Sequence, residues 1–289
     1  PYPALTEGVV PVIKSLLIPT DGSAFSKIAL EYGIYLAEKF RAKITGLHVV
    51  DERDLEGPLL SDIVGSLGFA PYQNYLPKFR KILEDRGDLI LEAFRNACDQ
   101  KAIRPKVKRV SGTVPGMIAE EAKKVDLVII AQRGQHERWS SGLLGSTTES
   151  VVRRSPRPVL VTPASFREFG NILLAYDGSV ESNQALKTTC ETFAFSDTRL
   201  KAVIVSGDPK RCEALTQEIE AFVSPYEMDV DIECLKGEAS KEILRYAEAK
   251  QIDLIVMGAF GHSRLHDFIL GGTTAYIIRN STLPVLLNR

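Results

Sequence analysis

Short runs of apolar residues alternate along this chain with longer stretches in which apolar positions recur at helical spacing. A continuous apolar run is typical of a parallel strand buried on both faces, and its alternation with helices is typical of βαβ units. In the first half, strands are predicted near residues 14–20, 43–50, 106–111, 126–131 and 158–162, and helices near 24–40, 76–102, 113–124 and 146–154. The pattern therefore predicts the α/β class with an open parallel sheet.

The second half repeats the pattern of the first. Strands are predicted near 171–176, 200–206, 229–235, 253–258 and 284–287, and helices near 180–194, 209–224, 239–250 and 272–280. Asp21-Gly22-Ser23 follows the first strand of one half, and Asp177-Gly178-Ser179 follows the first strand of the other. We therefore predict two domains of one kind, at residues 1–163 and 170–289, joined by a short polar linker.

The first domain is predicted to carry an insertion. Asp21 and Asp177 are 156 residues apart, whereas Asp126 and Asp253, at the two fourth strands, are 127 apart, so the first half has 29 additional residues. They fall at about 52–80, a stretch rich in Gly, Pro and Ser that also holds Leu59, Leu60, Ile63, Val64, Leu67, Phe69 and Tyr72. We expect this insertion to cover a crevice or the other half, and an ordinary surface loop is the alternative.

Composition narrows the classes of function. The 289 residues have a net charge of −1, without the excess of Lys and Arg that marks nucleic-acid binding. No apolar run approaches the roughly 20 residues needed to cross a bilayer, and residues 1–11 lack a signal-peptide pattern, so we expect a cytoplasmic protein without a membrane partner. The four cysteines, Cys98, Cys190, Cys212 and Cys234, form no Cys-x-x-Cys pair and are expected to be single reduced thiols.

Glycine-spaced loops between a strand and a helix are the strongest candidates for chemistry. Gly258-x-x-Gly261 is followed, after nine residues, by Gly271-Gly272-Thr273-Thr274. Glycines let the backbone approach a ligand, and a helix amino end with hydroxyl donors favours phosphate. Glycines that serve the turns alone are the alternative, and Asp177-Gly178-Ser179 could equally be a turn and a helix cap. If the first and fourth strands are neighbours, however, Asp177 and Gly258 face each other over one crevice.

These motifs, together with the Pro-Val-Leu strands that follow them, resemble those of tandem universal stress proteins. The resemblance covers both halves. It implies a Rossmann-like five-stranded parallel sheet in each half, with strand order 3-2-1-4-5, helices on both faces and a pseudo-two-fold pairing of the halves. Some members of that family bind ATP and others have lost binding. Members associate as pairs, so the resemblance implies an internal pair of the two halves and allows a further homodimer of this chain.

The resemblance also implies which residues would hold an adenine nucleotide. In the second half it places Ala175, Tyr176, Asp177 and Val205 around adenine and ribose, and Met257, Gly258, Gly261, Gly271, Gly272 and Thr273 around ribose and phosphates. Gly272 replaces the usual Ser or Thr, so weaker binding is expected there.

In the first half, the corresponding residues are Pro19, Thr20, Asp21 and Val49 on the adenosine side, and Ala131, Gly134, Gly145, Ser146 and Thr147 on the phosphate side. Ala131 replaces a glycine, at a cost of about 1 kcal/mol if the position requires positive φ. The loop is one residue longer than in the second half, and Arg133, His136 and Arg138 are candidate cationic partners of phosphate.

The function expected from this resemblance is that of an adenine-nucleotide-binding regulatory protein, taking ATP, AMP or ADP with or without Mg²⁺, and without efficient catalysis. A slow ATP hydrolase or phosphotransferase is one alternative, although the Walker-type phosphate loop is absent from the sequence. A pairing module with empty crevices is another. We predict no catalytic or metal-ligating residue; His262 and His266 lie four apart, but no third ligand is evident.

Overall fold

A computed structural model describes residues 13–53, 76–134, 145–194, 198–259 and 270–289. Several predictions from the sequence lie outside these described residues. They are the role of Gly261, most of the insertion at 52–80 with its apolar residues, and the interpretation of His136, Arg138, His262 and His266.

The first half alternates strands and helices as the apolar pattern predicts. Its elements are β1 (Ser15–Pro19), α1 (Ala24–Phe40), β2 (Lys43–Asp51), α2 (Leu76–Asp99), β3 (Lys106–Gly112), α3 (Val114–Ala122), β4 (Leu127–Ala131), α4 (Ser146–Arg154) and β5 (Val159–Thr162). The strands in the middle of the half, β1 and β4, consist of almost uninterrupted buried apolar residues. This is the pattern expected of strands covered by helices on both faces.

The second half has the same order of elements, with a helix of 15 residues where the first half has the 24 residues of α2. They are β6 (Asn171–Ala175), α5 (Val180–Phe193), β7 (Arg199–Val205), α6 (Pro209–Val223), β8 (Val230–Leu235), α7 (Ala239–Ala249), β9 (Leu254–Gly258), α8 (Gly272–Asn280) and β10 (Val285–Asn288). A short 3-10 turn, Ser224–Tyr226, extends α6. The helix α6 occupies the position that α2 has in the first half, between the second and third strands.

All ten strands form one sheet, in the order β3-β2-β1-β4-β5-β10-β9-β6-β7-β8. Within each half the strands are parallel and follow the order 3-2-1-4-5 that the resemblance implies. The two halves meet at β5 and β10, which pair antiparallel with Leu160 opposite Leu286. The structure thus joins the two expected five-stranded sheets into a single mixed sheet, because each fifth strand would otherwise leave an unpaired edge.

Two apolar layers sandwich this sheet, and both extend across the two halves. Alternate residues of one strand face opposite layers: Leu16 and Ile18 lie in the layer beneath α1, α2, α5 and α6, whereas Leu17 lies in the layer beneath α3, α4, α7 and α8. The strands of one half run antiparallel to those of the other half. The carboxyl ends of β1 and β4 therefore lie at one end of the strands, and the carboxyl ends of β6 and β9 lie at the opposite end.

The linker at 163–170 is packed against α1 and is less polar than the sequence indicates. Phe169 is buried, and its ring centroid lies 5.8 Å from that of Tyr32 and 5.4 Å from that of Tyr35. The Tyr32 hydroxyl donates to the Ser165 carbonyl at 3.2 Å, and the Tyr35 hydroxyl accepts from the Phe169 amide at 3.1 Å. The aromatic residues therefore fix the path of the chain between the halves.

The basic residues of β3 lie on both faces of their strand, and acidic side chains neutralise them. Lys108 pairs with Glu121 of α3 at 2.7 Å, and Arg109 pairs with Asp88 of α2 at 2.5 Å.

The prediction that all four cysteines are single thiols is also wrong. Cys212, in the first turns of α6, forms a disulfide with Cys234 of β8, with their Cα atoms 6.2 Å apart. The spacing rules for cysteines miss this pair because the two residues meet only when α6 packs beside the neighbouring strand. Cys98 and Cys190 are free and buried, as expected.

Candidate functional site

A tight turn with the same hydrogen bonds follows the first strand of each half. The Asp21 carboxylate accepts from the Ser23 amide at 2.9 Å, and the Asp177 carboxylate accepts from the Ser179 amide at 3.0 Å. The intervening Gly22 and Gly178 have φ of 78° and 75°, a left-handed conformation that a glycine adopts without steric cost. The turn therefore holds one carboxylate at the carboxyl end of β1 and another at that of β6.

The helices that follow these turns have capped amino ends. The Ser23 hydroxyl accepts from the Ser26 amide at 3.1 Å, and the Ser179 hydroxyl accepts from the Ser182 amide, also at 3.1 Å. The alternative interpretation of Asp-Gly-Ser as a turn and cap thus holds, and it does not exclude a ligand at the aspartate.

The helices that follow the fourth strands, α4 and α8, begin differently. Their N-cap residues are Gly145 and Gly271, which have no side chain to accept from the first-turn amides. Since the first N–H groups of a helix have no intrahelical acceptor, these two amino ends present donors and the positive end of the helix dipole. The arrangement favours an anion at the carboxyl ends of β4 and β9.

Buried threonines hold these helix ends against the strand ends. The Thr148 hydroxyl donates to the Ala131 carbonyl at 2.8 Å, and the Thr274 hydroxyl donates to the Gly258 carbonyl at 3.3 Å. Thr274 is therefore a structural donor and not the phosphate donor suggested by its sequence. Thr148 was not predicted from the sequence, although Thr-Thr at the same place in both repeats, Thr147-Thr148 and Thr273-Thr274, was a signal for it.

In the first half, the aspartate and the glycine loop face each other. A Cβ atom placed on Gly134 would lie 3.1 Å from the Asp21 carboxylate, which supports the expected neighbourhood of the first strand and the glycine loop. Gly134 and Asp21 are both half-buried, so each keeps part of its surface in contact with solvent.

Gly258 is needed for packing and not for a left-handed backbone. A Cβ at this position would lie 2.8 Å from the Glu181 side chain and 3.0 Å from the Ser182 amide of α5. Gly258 and its counterpart Ala131 end their strands without positive φ. The expected penalty of about 1 kcal/mol at Ala131 therefore does not apply.

The remaining predicted site residues differ in what they offer a ligand. Ala131, Ala175, Tyr176 and Met257 are buried; Pro19, Thr20, Val49, Gly145, Thr147, Val205, Gly271 and Thr273 are half-buried; Ser146 and Gly272 are exposed. The hydroxyl of Tyr176 donates to the Asn183 side chain at 2.9 Å within the core, and burial raises the pKa of this tyrosine. The Tyr176 side chain is thus committed to the core and not to adenine.

Two residues near the turns were missed by the sequence analysis. A ring nitrogen of His48, Nδ1, lies 2.9 Å from the Thr20 carbonyl, and burial lowers the pKa of this histidine. In the second half, the Arg211 guanidinium donates to the Asp177 carbonyl at 3.1 Å. Only His48 had a signal in the sequence, because it directly precedes Val49, which is a predicted site residue of the second strand.

Among the residues that the structure describes, no group of three or more His, Cys, Asp or Glu side chains is arranged to hold a metal ion. The chemistry that the site residues offer is binding by main-chain amides, hydroxyls and one carboxylate in each half.

The strand order and the two glycine-capped helices define a doubly wound α/β protein with two lobes. In each lobe the glycine-capped helix begins beside the carboxyl ends of the strands, where doubly wound sheets bind ligands. The model of the universal stress protein family matches residues 13–163 and 207–289. The chain belongs to the universal stress protein family.

Relatives of full length and of half length are found. Universal stress protein Slr1230 of Synechocystis is 29% identical over 287 residues, covering 96% of this chain and all of the relative. Universal stress protein MJ0577 of Methanocaldococcus jannaschii is 29% identical over 159 residues, covering 51% of this chain and 93% of the relative. The structure of a universal stress protein from Archaeoglobus fulgidus has a TM-score of 0.75 at 24% identity, covers 95% of this chain and 98% of its own, and shows the same fold.

None of the helices in the described parts of the chain is long and apolar enough to span a membrane.

Proposed function

We propose that the chain is a cytoplasmic regulatory protein that binds an adenine nucleotide, ATP, ADP or AMP, in the crevice of each half. The observation that supports this proposal best is the pair of helix amino ends capped by Gly145 and Gly271. Each opens at the carboxyl end of a fourth strand, beside the first strand of the same half. A doubly wound sheet binds ligands at this place, and free helix amides favour phosphate.

The half-buried groups at the neighbouring strand ends suit the rest of the nucleotide. Asp21 and Asp177 are acceptors for ribose hydroxyls, and Val49 and Val205 offer apolar surface for adenine. The phosphates would lie against the amides of Gly134 and Ser146 in one half, and against those of Gly271, Gly272 and Thr273 in the other. Gly145 would lie beside them as the N-cap residue, with its own amide donating to the Gln132 carbonyl at 3.3 Å. Mg²⁺, where present, would be held by the phosphates.

The two crevices are expected to differ in affinity. Ser146 supplies a hydroxyl at the first position of α4, whereas Gly272 supplies none at the first position of α8. Among the described residues beyond its own helix turn, none has an atom within 4 Å of a Cβ placed on Gly272, so these residues leave room for a larger side chain. We expect tighter binding in the first crevice.

Slow hydrolysis or phosphoryl transfer is the alternative from another class, and it needs a positioned nucleophile and metal ligands at the γ-phosphate. The described residues of the two sites include no such set. A pairing module with empty crevices is the third candidate. With nucleotide bound, the surface offered to a protein partner would change. That surface would be formed by the two halves paired through β5 and β10, or by a further homodimer. A nucleic-acid or membrane partner is not proposed.

The substitution Gly272→Ser tests the proposed second site, with Gly272→Ala as its matched control. Both variants replace a glycine at the start of α8 and are expected to raise the free energy of unfolding by up to about 1 kcal/mol. Only the serine adds a hydroxyl. Calorimetric titration with ATP and Mg²⁺ should therefore give tighter binding for Gly272→Ser, by about 1 kcal/mol or fivefold in Kd, than for Gly272→Ala.

Asp21→Ala and Asp177→Ala assign the two sites. Each variant should lose one class of binding site while keeping its circular dichroism spectrum. A flat titration of the unaltered chain with ATP, ADP and AMP at millimolar concentration would remove the proposal. ATP turnover that disappears in Asp177→Ala would instead favour the enzyme.

A further inference from the structure

A groove lies between α6 and the carboxyl ends of β7 and β8, at the outer edge of the sheet. Its volume is about 440 Å³, and the residues that line it include Ser206, Cys212, Glu213, Glu220, Cys234 and Lys236. This volume falls within the range of about 300–1,000 Å³ that small-molecule sites occupy. The groove lies beyond β7 from the crevice of the second half, and no predicted site residue lines it.

The Cys212–Cys234 disulfide lines this groove, and its two residues differ in accessibility. Cys212 lies on the buried face of α6 and is 6% exposed. Cys234 is exposed and belongs to β8, which pairs only with β7 among the described strands. A thiolate entering from solvent therefore reaches Cys234 more readily than Cys212.

The position of Cys212 suits a leaving thiolate. Its amide donates to the carbonyl of Asp208, the N-cap residue, at 3.1 Å, so Cys212 lies at the start of α6. A helix amino end stabilises a nearby thiolate, and Lys210 and Arg211 add positive charge in the same turn. Asp208 and Glu213 oppose this effect, but both are exposed to solvent, which screens them.

We propose that the groove is a thiol-exchange site, in which a low-molecular-weight thiol forms a mixed disulfide with Cys234. The thiolate of the incoming molecule attacks the Cys234 Sγ and forms a new S–S bond. The Cys212–Cys234 bond breaks, and its electron pair leaves on the Cys212 Sγ as a thiolate. A second thiol molecule then attacks the mixed disulfide, releasing the oxidised thiol and a Cys234 thiolate; the oxidised thiol reverses both steps.

The charges in the groove indicate the class of thiol. Lys236 is a partner for a carboxylate, and Glu213 and Glu220 are partners for an ammonium group. The groove therefore fits an amino-acid-derived thiol that carries both charges better than an uncharged thiol. This inference is independent of nucleotide binding, since none of the proposed nucleotide contacts takes part in it.

The two other cysteines provide an internal comparison. Cys98 and Cys190 are both completely buried, and burial raises the pKa of each thiol to about 11. Neither should exchange in the folded protein, because the reactive form is the thiolate and neither sulfur is accessible.

The test uses the full chain, purified without reductant and incubated under native conditions with mixtures of reduced and oxidised glutathione. After an acid quench and alkylation, intact mass and peptide mapping identify each cysteine. We expect a glutathione adduct on Cys234 at intermediate ratios, and two free thiols at Cys212 and Cys234 under full reduction. 2-Mercaptoethanol at the same thiolate concentration should give less adduct.

Variants separate the roles of the two sulfurs. Cys212→Ser should accumulate the Cys234 adduct, because the thiol that would displace it is absent. Cys234→Ser should lose the adduct, and Cys190→Ser should behave like the unaltered chain. The proposal is overturned if Cys212 and Cys234 both remain alkylatable thiols under oxidised glutathione. It is equally overturned if glutathione reduces their disulfide only after denaturation, or if the adduct maps to Cys98 or Cys190. These outcomes are measured on the unaltered chain, so they do not depend on whether a variant folds.

Discussion

Single glycines have different physical roles in the two halves. Gly22 and Gly178 permit a left-handed turn, Gly258 permits close packing against α5, and Gly134 leaves space beside a carboxylate. Only the last of these roles bears on the proposed nucleotide site. The glycine motif therefore combines structural requirements, which the structure identifies at Gly22, Gly178 and Gly258, with the proposed binding role of Gly134.

Gly134→Ala tests the role of the space beside Asp21. The added Cβ would lie 3.1 Å from the Asp21 carboxylate, which has to move by a few tenths of an ångström. We expect nucleotide binding in the first crevice to weaken by about 1 kcal/mol, or fivefold in Kd, and the free energy of unfolding to change by less than about 0.5 kcal/mol. Calorimetric titration and urea unfolding measure the two effects.

Gly207→Ala is the matched control, because a Cβ there meets no atom of the described residues within 4 Å, apart from its chain neighbours. It should leave both quantities unchanged. Equal affinity of Gly134→Ala and the unaltered chain would show that the nucleotide does not use the space between Gly134 and Asp21.

The sequence predicts the site residues unevenly, for reasons visible at single positions. Asp21 and Gly134 were predicted, and the structure brings them together. Tyr176 was assigned to the adenosine side from its place in the motif, yet its side chain packs into the core, because α5 offers Asn183 as a hydrogen-bond partner. Arg211 was not found, since its contact with the Asp177 carbonyl depends on how α6 lies beside the turn.

At the scale of elements, two helices depend on a buried hydroxyl for the position of their amino ends. Thr148→Val removes the donor to the Ala131 carbonyl while preserving the shape of the side chain. We expect a loss of about 1 kcal/mol in the free energy of unfolding and faster amide exchange in the first turn of α4. Urea unfolding and hydrogen exchange followed by mass spectrometry measure these changes.

The neighbouring Thr147→Val is the control, because Thr147 is half-buried and precedes the residue that holds the helix. Equal rates of amide exchange in the first turn of α4 in Thr147→Val and Thr148→Val would show that the Thr148 hydrogen bond does not position the helix.

The linker docks on α1 through Tyr32, and we expect the free energy of unfolding to fall at alkaline pH for this reason. Burial is the main cause that raises the pKa of Tyr32 to about 12, whereas an unfolded tyrosine titrates near 10. The folded state thus favours the neutral hydroxyl. The contribution of Tyr32 to the free energy of unfolding is fully present below about pH 10 and is lost as the pH rises towards about 12. Melting temperatures measured from pH 7 to 11 should fall above pH 10.

Tyr32→Phe identifies the tyrosine responsible. At pH 7 it should lower the free energy of unfolding by about 1–2 kcal/mol, because Ser165 and Arg167 each lose a hydrogen-bond partner in the Tyr32 hydroxyl. Above pH 10 the difference from the unaltered chain should shrink. Tyr276→Phe, at a residue that is 38% exposed, is the control. A difference that stays constant from pH 7 to 11 would assign the alkaline loss to other groups.

For the whole molecule, the apolar pattern predicts the order of elements and their bounds to within about three residues, because strand and helix periods are local properties. It does not predict how the halves meet. The sequence of β5, Val159–Thr162, is the same whether its free edge pairs with β10 or with another chain. The disulfide and the docked linker were missed for the same reason, since both depend on contacts between distant elements.

The shared sheet implies that the two halves unfold together. Both apolar layers contain residues of both halves, and the Gln132 side chain donates to the Ile278 carbonyl across the boundary. Leu160, which is 1% exposed and lies opposite Leu286, is at the centre of this junction. We predict that Leu160→Ala lowers the free energy of unfolding by about 2–5 kcal/mol in a single calorimetric transition.

Hydrogen exchange reports whether that loss reaches both halves. In Leu160→Ala, the amides of β1 and of β6 should lose protection by the same factor, although only β1 belongs to the altered half, because global unfolding exposes both. Leu89→Ala, at a residue that is 66% exposed on α2, should leave both strands unchanged. Two separate transitions, or loss of protection in β1 alone, would show that each half is its own folding unit and that the β5–β10 junction only connects them.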